Sequence, residues 1–430
     1  MKNSGIEWIG EIPEDWEVSK IGQLYEERRT KVSDTVYPPL SVTMQGILPQ
    51  LENAAKSDAH DDRKLVLKGD FAINSRSDRR GSCGISNFDG SVSLINTVLH
   101  PKTEMNPIYY NWLFHSFRFS DEYYKNGHGI VDDLWTTSWS EMKKIFIPLP
   151  PKETQQRIAS YLDKKCSKIE ETIQNQQQVI EKLKDYKQSL ITEAVTGKIK
   201  IQNGKVCGKY ESYKDSKLKW LGDFKIPEKW SNIQVKSFVS IPVVDGPHES
   251  PELFDNGIPY ISATAIENSK IDFSLKRGFI SEKYCNECDK RYKPMRDDIL
   301  MIKLGATTGQ VAIVETDERF NIWVPLAAIR CNKNIALPKF VFYSFQSDYC
   351  LKQMEMSWTF GTQQTLGVSS IERLKIFLPN IETQKNITHF LDKKCTAIDT
   401  AIEQKQKLIE KLTEYKKSLI YECVTGKKVI

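Results

Sequence analysis

The sequence predicts an α+β chain in which two mixed globular domains are each followed by a long helix. The two helices are expected to pair as an antiparallel coiled coil within an internal, pseudo-twofold repeat. Three observations predict this. The stretch "IEKLKDYKQSLITEAVTGK" (180–198) returns as "IEKLTEYKKSLIYECVTGK" (409–427), identical at 14 of 19 positions. Other landmarks recur in the same order, which is the mark of a duplicated unit: "WIGEIPEDW" with "WLGDFKIPEKW", "IFIP" with "IFLP", and "LDKKC" twice. Apolar residues in both repeated stretches follow the three-four spacing of a heptad seam.

The elements follow in order. Residues 1–150 and 216–380 form the two domains, with short runs such as "SVSLINTVLH" and "GQVAIVET" reading as strands between Gly, Asn and Asp. Each domain carries one apolar helix opened by a proline, "PIYYNWLFHSFRFSDEYYK" and "PKFVFYSFQSDYCLKQME". The first long helix spans 151–198 and the second 381–430, with 199–215 a linker between repeats. Glu153, Thr154 and Gln155 open the first helix just after a proline; Glu382, Thr383 and Gln384 open the second in the same way. Gly197 and Gly426 stand where C-terminal caps belong. The expected pairing residues are Ile169, Ile173, Ile180, Leu183 and Leu190 on one helix. On the other they are Ile398, Ile402, Ile409, Leu412 and Leu419. From Leu162 and Leu391 onward the copies agree at 22 of 37 positions, whereas the domains share little beyond apolar pattern. A shared scaffold carrying two different readers has this signature, and so does a duplication whose surface has drifted.

Composition excludes several classes. No apolar run approaches the roughly 20 residues that cross a bilayer. The acidic, aromatic amino terminus is no secretory signal, so the chain reads as cytoplasmic with no membrane partner. Nine cysteines, an odd number, argue for reduced thiols. Cys285 and Cys288 have zinc-like spacing but lack a second pair, and the six histidines show no ligand spacing, so no metal site is expected. No Gly-Lys is followed by Ser or Thr as a phosphate loop demands. "NPIY" (106–109) lacks the second proline of a base-gripping methyltransferase loop, and no Gly-x-Ser-x-Gly elbow occurs. No catalytic residue is expected.

Binding chemistry is better represented. "INSRSDRRGSCG" places Arg76, Arg79 and Arg80 after a strand, and arginine's planar fork suits phosphate or the guanine edge. The aligned "IKLGATTGQ" offers Lys303, Thr307, Thr308 and Gln310. A later loop, "GHGIVDDLW" in the first copy, becomes "FGTQQTLG" in the second, where Thr362, Gln363 and Gln364 are candidate base-edge readers. The plain alternative is a solvated polar loop. A net charge of +5 permits a nucleic-acid partner without requiring one.

This ordered set of variable region, "ETQ" and long helix ending "VTGK", present twice, resembles the specificity subunit of type I restriction–modification systems. The likeness spans essentially the whole chain. It implies a non-catalytic subunit whose two domains are target recognition domains reading the two halves of a split sequence in double-stranded DNA. It also implies that the helices act as spacer and dock two methyltransferase subunits, and through them restriction and translocase subunits, in defence against foreign DNA. S-adenosylmethionine, ATP and magnesium would belong to those partners. Two rival readings are a coiled-coil scaffold that binds proteins only and a self-sufficient DNA methyltransferase with degenerate motifs.

Overall fold

Both repeated stretches are continuous helices of 44 residues, Lys152–Val195 and Ile381–Val424. No proline or glycine interrupts either one, and both turn out of helix at a glycine with φ of +72°, Gly197 and Gly426. Lys198 N donates to Glu193 O at 3.0 Å, closing the last turn of the first helix. The computed structural model describes residues 1–50, 61–129, 135–360 and 363–430. They form two units: Met1–Gln177 with Lys405–Ile430, and Gln178–Gln404.

The division differs from the consecutive domain-then-helix layout, and the cores explain why. In the first unit Ile158, Leu162, Cys166 and Ile169 of the first helix share a core with Leu419, Ile420, Cys423 and Val424 of the second. That core also holds Trp8, Trp16, Tyr109, Tyr110 and Phe114. In the second unit Leu190, Ile191, Ala194 and Val195 share a core with Ile387, Leu391 and Cys395, and with Trp230, Phe340 and Phe377. Each helix therefore starts in one core and ends in the other. Burying a side chain the size of Leu, Ile or Val contributes roughly 1.5–3 kcal/mol, so each helix tail is a principal part of the core it enters.

Within each unit the helix segments run antiparallel. In the first, Lys405 Nζ donates to Gln176 Oε1 at 2.9 Å and Lys416 pairs with Glu170. In the second, Lys187 Nζ meets Asp399 at 2.7 Å. Ile169, Ile180, Leu190, Ile398, Ile409 and Leu419 are buried, while Ile173, Leu183, Ile402 and Leu412 are half-buried.

The sheets of the two units share one plan. In the first, β1 (Tyr25–Glu27), β2 (Phe71–Asn74), β3 (Cys83–Ile85) and β4 (Asn96–Pro101) form an antiparallel sheet in the order β3-β2-β4-β1. Helix α1 (Pro107–His115) starts on Asn106, whose side chain accepts from Tyr109 N at 3.0 Å, and buries Tyr109, Tyr110, Leu113 and Phe114. The second unit contains β5 (Val244–Asp245), β6 (Ile258–Ile261), β7 (Gly278–Ile280), β8 (Ile299–Ile302), β9 (Val311–Ile313), β10 (Asn321–Ile322), β11 (Leu326–Ile329) and α2 (Pro338–Gln346). Its four-stranded sheet runs β9-β8-β11-β5, the counterpart of the first, while β7-β6-β10 forms a smaller one.

The expected linker 199–215 is itself folded. Ile201–Gln202 pairs with Lys205–Val206 around Asn203 and Gly204, at φ +50° and +70°. That is the Asn-Gly hairpin turn. Tyr213–Asp215 then pairs with Lys225–Pro227, and Ile201 is buried in the second core.

The glutamines that follow each proline stop have a structural task. Gln384, wholly buried, accepts from Leu337 N at 2.7 Å and donates to Pro379 O at 2.9 Å and Ile335 O at 3.0 Å. Gln155 accepts from Asn106 N and donates to Pro150 O. Each ties the start of the long helix to the start of its domain helix. Gln384→Leu strands three backbone groups, one buried and two part-buried, at about 1–3 kcal/mol for a fully buried one before relaxation. A loss of about 3 kcal/mol is expected, and about 2 kcal/mol for Gln155→Leu, measured by urea unfolding monitored in each unit.

Candidate nucleic-acid interface

The candidate residues gather at the same end of the four-stranded sheet in both units. In the first unit the chain leaves β2 at Asn74, whose side chain accepts from Arg76 N at 3.1 Å. A single tight helical turn, Ser77–Arg79, follows, and Gly81 at φ +76° returns the chain to β3. The later loop lies against this turn: Arg76 bridges Thr136, Ser77 N donates to Trp135 O at 3.0 Å, and Thr137 N donates to Ser75 O at 2.9 Å. Trp135 Nε1 in turn donates to Tyr124 O at 2.7 Å. An open cleft results, walled by Ser77, Asp78, Arg80, Tyr124 and Trp135.

Arg76 Nε lies 3.4 Å and Arg79 Nε 3.7 Å from Asp78, while Arg80 Nη1 lies 3.5 Å from Asp121 and its guanidinium sits 5.2 Å from the Tyr124 ring. Exposed pairs of this kind are worth about 0.2–1 kcal/mol and are screened by salt. An incoming phosphate or base edge can therefore replace the aspartates as partner.

In the second unit the loop after β8 meets the later segment in the same manner. Gly305 N donates to Gln364 O at 3.0 Å, Leu304 bridges Thr365, and Leu366 N donates to Lys303 O at 2.8 Å. Thr307, Gln310 and Gln363 are exposed and Gln364 is half-buried. Thr362 lies outside the described residues.

Lys303 and Thr308, expected on the face of this loop, lie inside it. Thr308 donates its hydroxyl to Gly305 O at 2.7 Å. Lys303 Nζ sits 3.0 Å from Asp245 Oδ2, both side chains being only 8% exposed. Asp245 also receives Arg291 at 2.6 Å and His248 at 3.2 Å. Burial pushes its carboxyl up, but the hydrogen bond and charge of Lys303, with His248 and Arg291, hold it below the usual carboxylate range. Asp245 was missed because only the sheet order, which sets β5 on the far side of β11 from β8, brings it to Lys303.

Cys285 and Cys288 are buried on the helix Glu282–Arg291, and burial raises both thiols. Among the described residues no group of three or more His, Cys, Asp or Glu is placed to hold a metal, and no helix is long and apolar enough to cross a membrane.

The family described as the type I restriction modification DNA specificity domain matches residues 13–182 and 227–413, once on each repeat. The chain belongs to that family. This specificity subunit is 25% identical to the type I restriction enzyme MjaVIII specificity subunit of Methanocaldococcus jannaschii, over 97% of this chain and 93% of that one. It is 24% identical to the EcoBI specificity subunit of Escherichia coli, over 66% and 59% respectively. Its fold matches a chain solved in work on assembly and conformational transition of the type I R-M system, with a TM-score of 0.71, 14% identity and coverage of 97% and 100%. The HsdS subunit from Thermoanaerobacter tengcongensis matches with a TM-score of 0.51, 15% identity and coverage of 97% and 98%. In this specificity subunit, then, the repeated helices are the shared part and the sheet-end loops the part that differs between the two copies.

Proposed function

We propose that the chain reads a two-part DNA target, one part per unit, and carries two methyltransferase subunits that modify it. The observation that carries this reading is the pair of loops brought together at the same sheet end in both units with different side chains. The first copy presents Arg76, Arg79 and Arg80, and the second Thr307, Gln310, Gln363 and Gln364. Arginine matches the O6/N7 edge of guanine and glutamine the N6/N7 edge of adenine, so the two units read different bases from one scaffold. The length of the paired helices fixes how many unread base pairs separate the halves. S-adenosylmethionine chemistry, ATP and magnesium belong to the partner subunits.

Mapping modified adenines in cells that coexpress the chain with its methyltransferase subunits tests this. A two-part motif is expected, absent without the chain. The combined change Thr307→Ala, Gln310→Ala and Gln363→Ala should relax one half, at about 1–3 kcal/mol per lost base contact, and leave the other half intact. A contiguous motif, or equal change in both halves, would refute the assignment of one half to each unit.

A further inference from the structure

Near the root of the second unit's reading loop lies a cation that, among the described residues, has no carboxylate within ion-pair distance. Arg277 directly precedes β7, and its guanidinium lies 3.2 Å from the centroid of the Trp323 ring. Its neighbour Lys276 sits 4.7 Å from the Phe279 ring. Arg291, Arg296, Arg319 and Arg330 of the same unit each hold an aspartate. Arg277, among the described residues, pairs with no carboxylate: it sits on the indole, and its charge also acts on Tyr260. A guanidinium flat on an indole keeps its planar fork of N–H donors directed outward at the ring's edge.

The position is tied to the loop by backbone contacts. Trp323 follows β10, with its N–H on Ile261 O at 2.9 Å, and Leu326 N returns to Trp323 O at 2.9 Å. Between them Pro325 O accepts from Lys303 N at 2.8 Å, at the root of the 303–310 loop. Gly246 presses on the same tryptophan so closely that a Cβ would stand 2.3 Å from its carbonyl carbon. Asp245, next to it, gathers Lys303, Arg291 and His248. One carboxylate thus serves the basic groups around the loop root, and Arg277 adds a charge it does not offset.

We propose that Arg277, held flat on Trp323, grips a DNA backbone phosphate beside the bases read by the second unit. This rests on the DNA-reading function proposed above. The grip would set the position of the duplex, while loop side chains supply sequence.

The test is binding of the full chain to a mixed-sequence duplex, by fluorescence anisotropy across a salt series. Loss of one phosphate contact lowers the slope of log affinity against log salt by about 0.9. Arg277→Gln, which keeps a planar uncharged group on the indole, is expected to lose that slope and roughly tenfold in affinity. Arg277→Lys is expected to keep the slope, because the charge remains. Should Arg277→Ala fail to fold, the glutamine and lysine variants carry the comparison. A steep wild-type slope unchanged in Arg277→Gln would overturn the phosphate assignment alone and leave Arg277 as cover for the tryptophan. A flat wild-type response would overturn the DNA reading and this assignment together.

Discussion

Gly426→Val is expected to detach the end of the second long helix from the first unit and lower that unit's stability by at least 3 kcal/mol. Two terms act together. Gly426 has a φ of +72°, where an L-residue costs roughly 1–2 kcal/mol and a β-branched one more. A Cβ there would stand 2.4 Å from Pro13 Cδ and 3.2 Å from Trp16 Cη2. The proline ring cannot swing aside, so the clash is met by moving backbone. The contacts at risk are the hydrogen bonds of Tyr109 Oη to Val424 O at 2.8 Å and of Tyr421 Oη to Trp8 O at 3.0 Å. A unit of this size should melt about 6–12 °C lower. Hydrogen exchange distinguishes this from general weakening: amides of 419–427 and of 8–16 should lose protection together, while the second unit keeps its own. Gly197→Val gives the reciprocal result, since its Cβ would lie 2.4 Å from Pro227 Cγ and 3.4 Å from Trp230. Combining Gly426→Ala with Pro13→Ala should recover the clash but not the backbone strain. Full recovery would show that φ is not the limiting term.

These glycines mark the boundary of what the sequence makes legible. The repeat, the unbroken helices and their glycine stops follow from spacing and from residue type, because those are local. The loops after β2 and β8 were legible for the same reason, as polar Gly-rich stretches following an apolar strand. That the Pro-x-x-Trp of one repeat receives the glycine of the other was not, since Gly426 and Pro13 lie near opposite ends of the chain. A sign was present: the tails Leu190, Ile191, Ala194 and Val195 carry apolar residues beyond a two-position seam, more than pairing one helix requires. The fold of 199–215, expected as a linker, was also legible in Asn203 and Gly204, the residue pair of a two-residue hairpin turn. Lys303 had no such sign. A lysine on a Gly-rich loop reads as solvated until the topology supplies a buried aspartate.

Asp245→Asn is therefore expected to cost more than Lys303→Met, although both remove the same ion pair. The first leaves the Lys303 ammonium buried without its anion, and breaking a buried pair from one side costs roughly 3–5 kcal/mol. The second leaves Asp245 with Arg291 at 2.6 Å and His248 at 3.2 Å, so about 1–3 kcal/mol is expected. Joining the two changes should cost less than Asp245→Asn alone, because no buried charge remains. The pH dependence has a definite sign. The folded state holds the Asp245 carboxyl below its ordinary range, so its stabilisation is complete above the unfolded value of about 3.9 and is lost as pH falls through the folded one. The stability gap between wild type and Asp245→Asn should stay level near neutrality and narrow only below about pH 4. DNA binding separates this pair from Arg277. Lys303→Met disturbs the reading loop without removing a phosphate contact, so it should weaken recognition of the second half-site while leaving the salt slope unchanged. A reduced slope would mean that Lys303 leaves Asp245 and reaches the backbone when DNA binds.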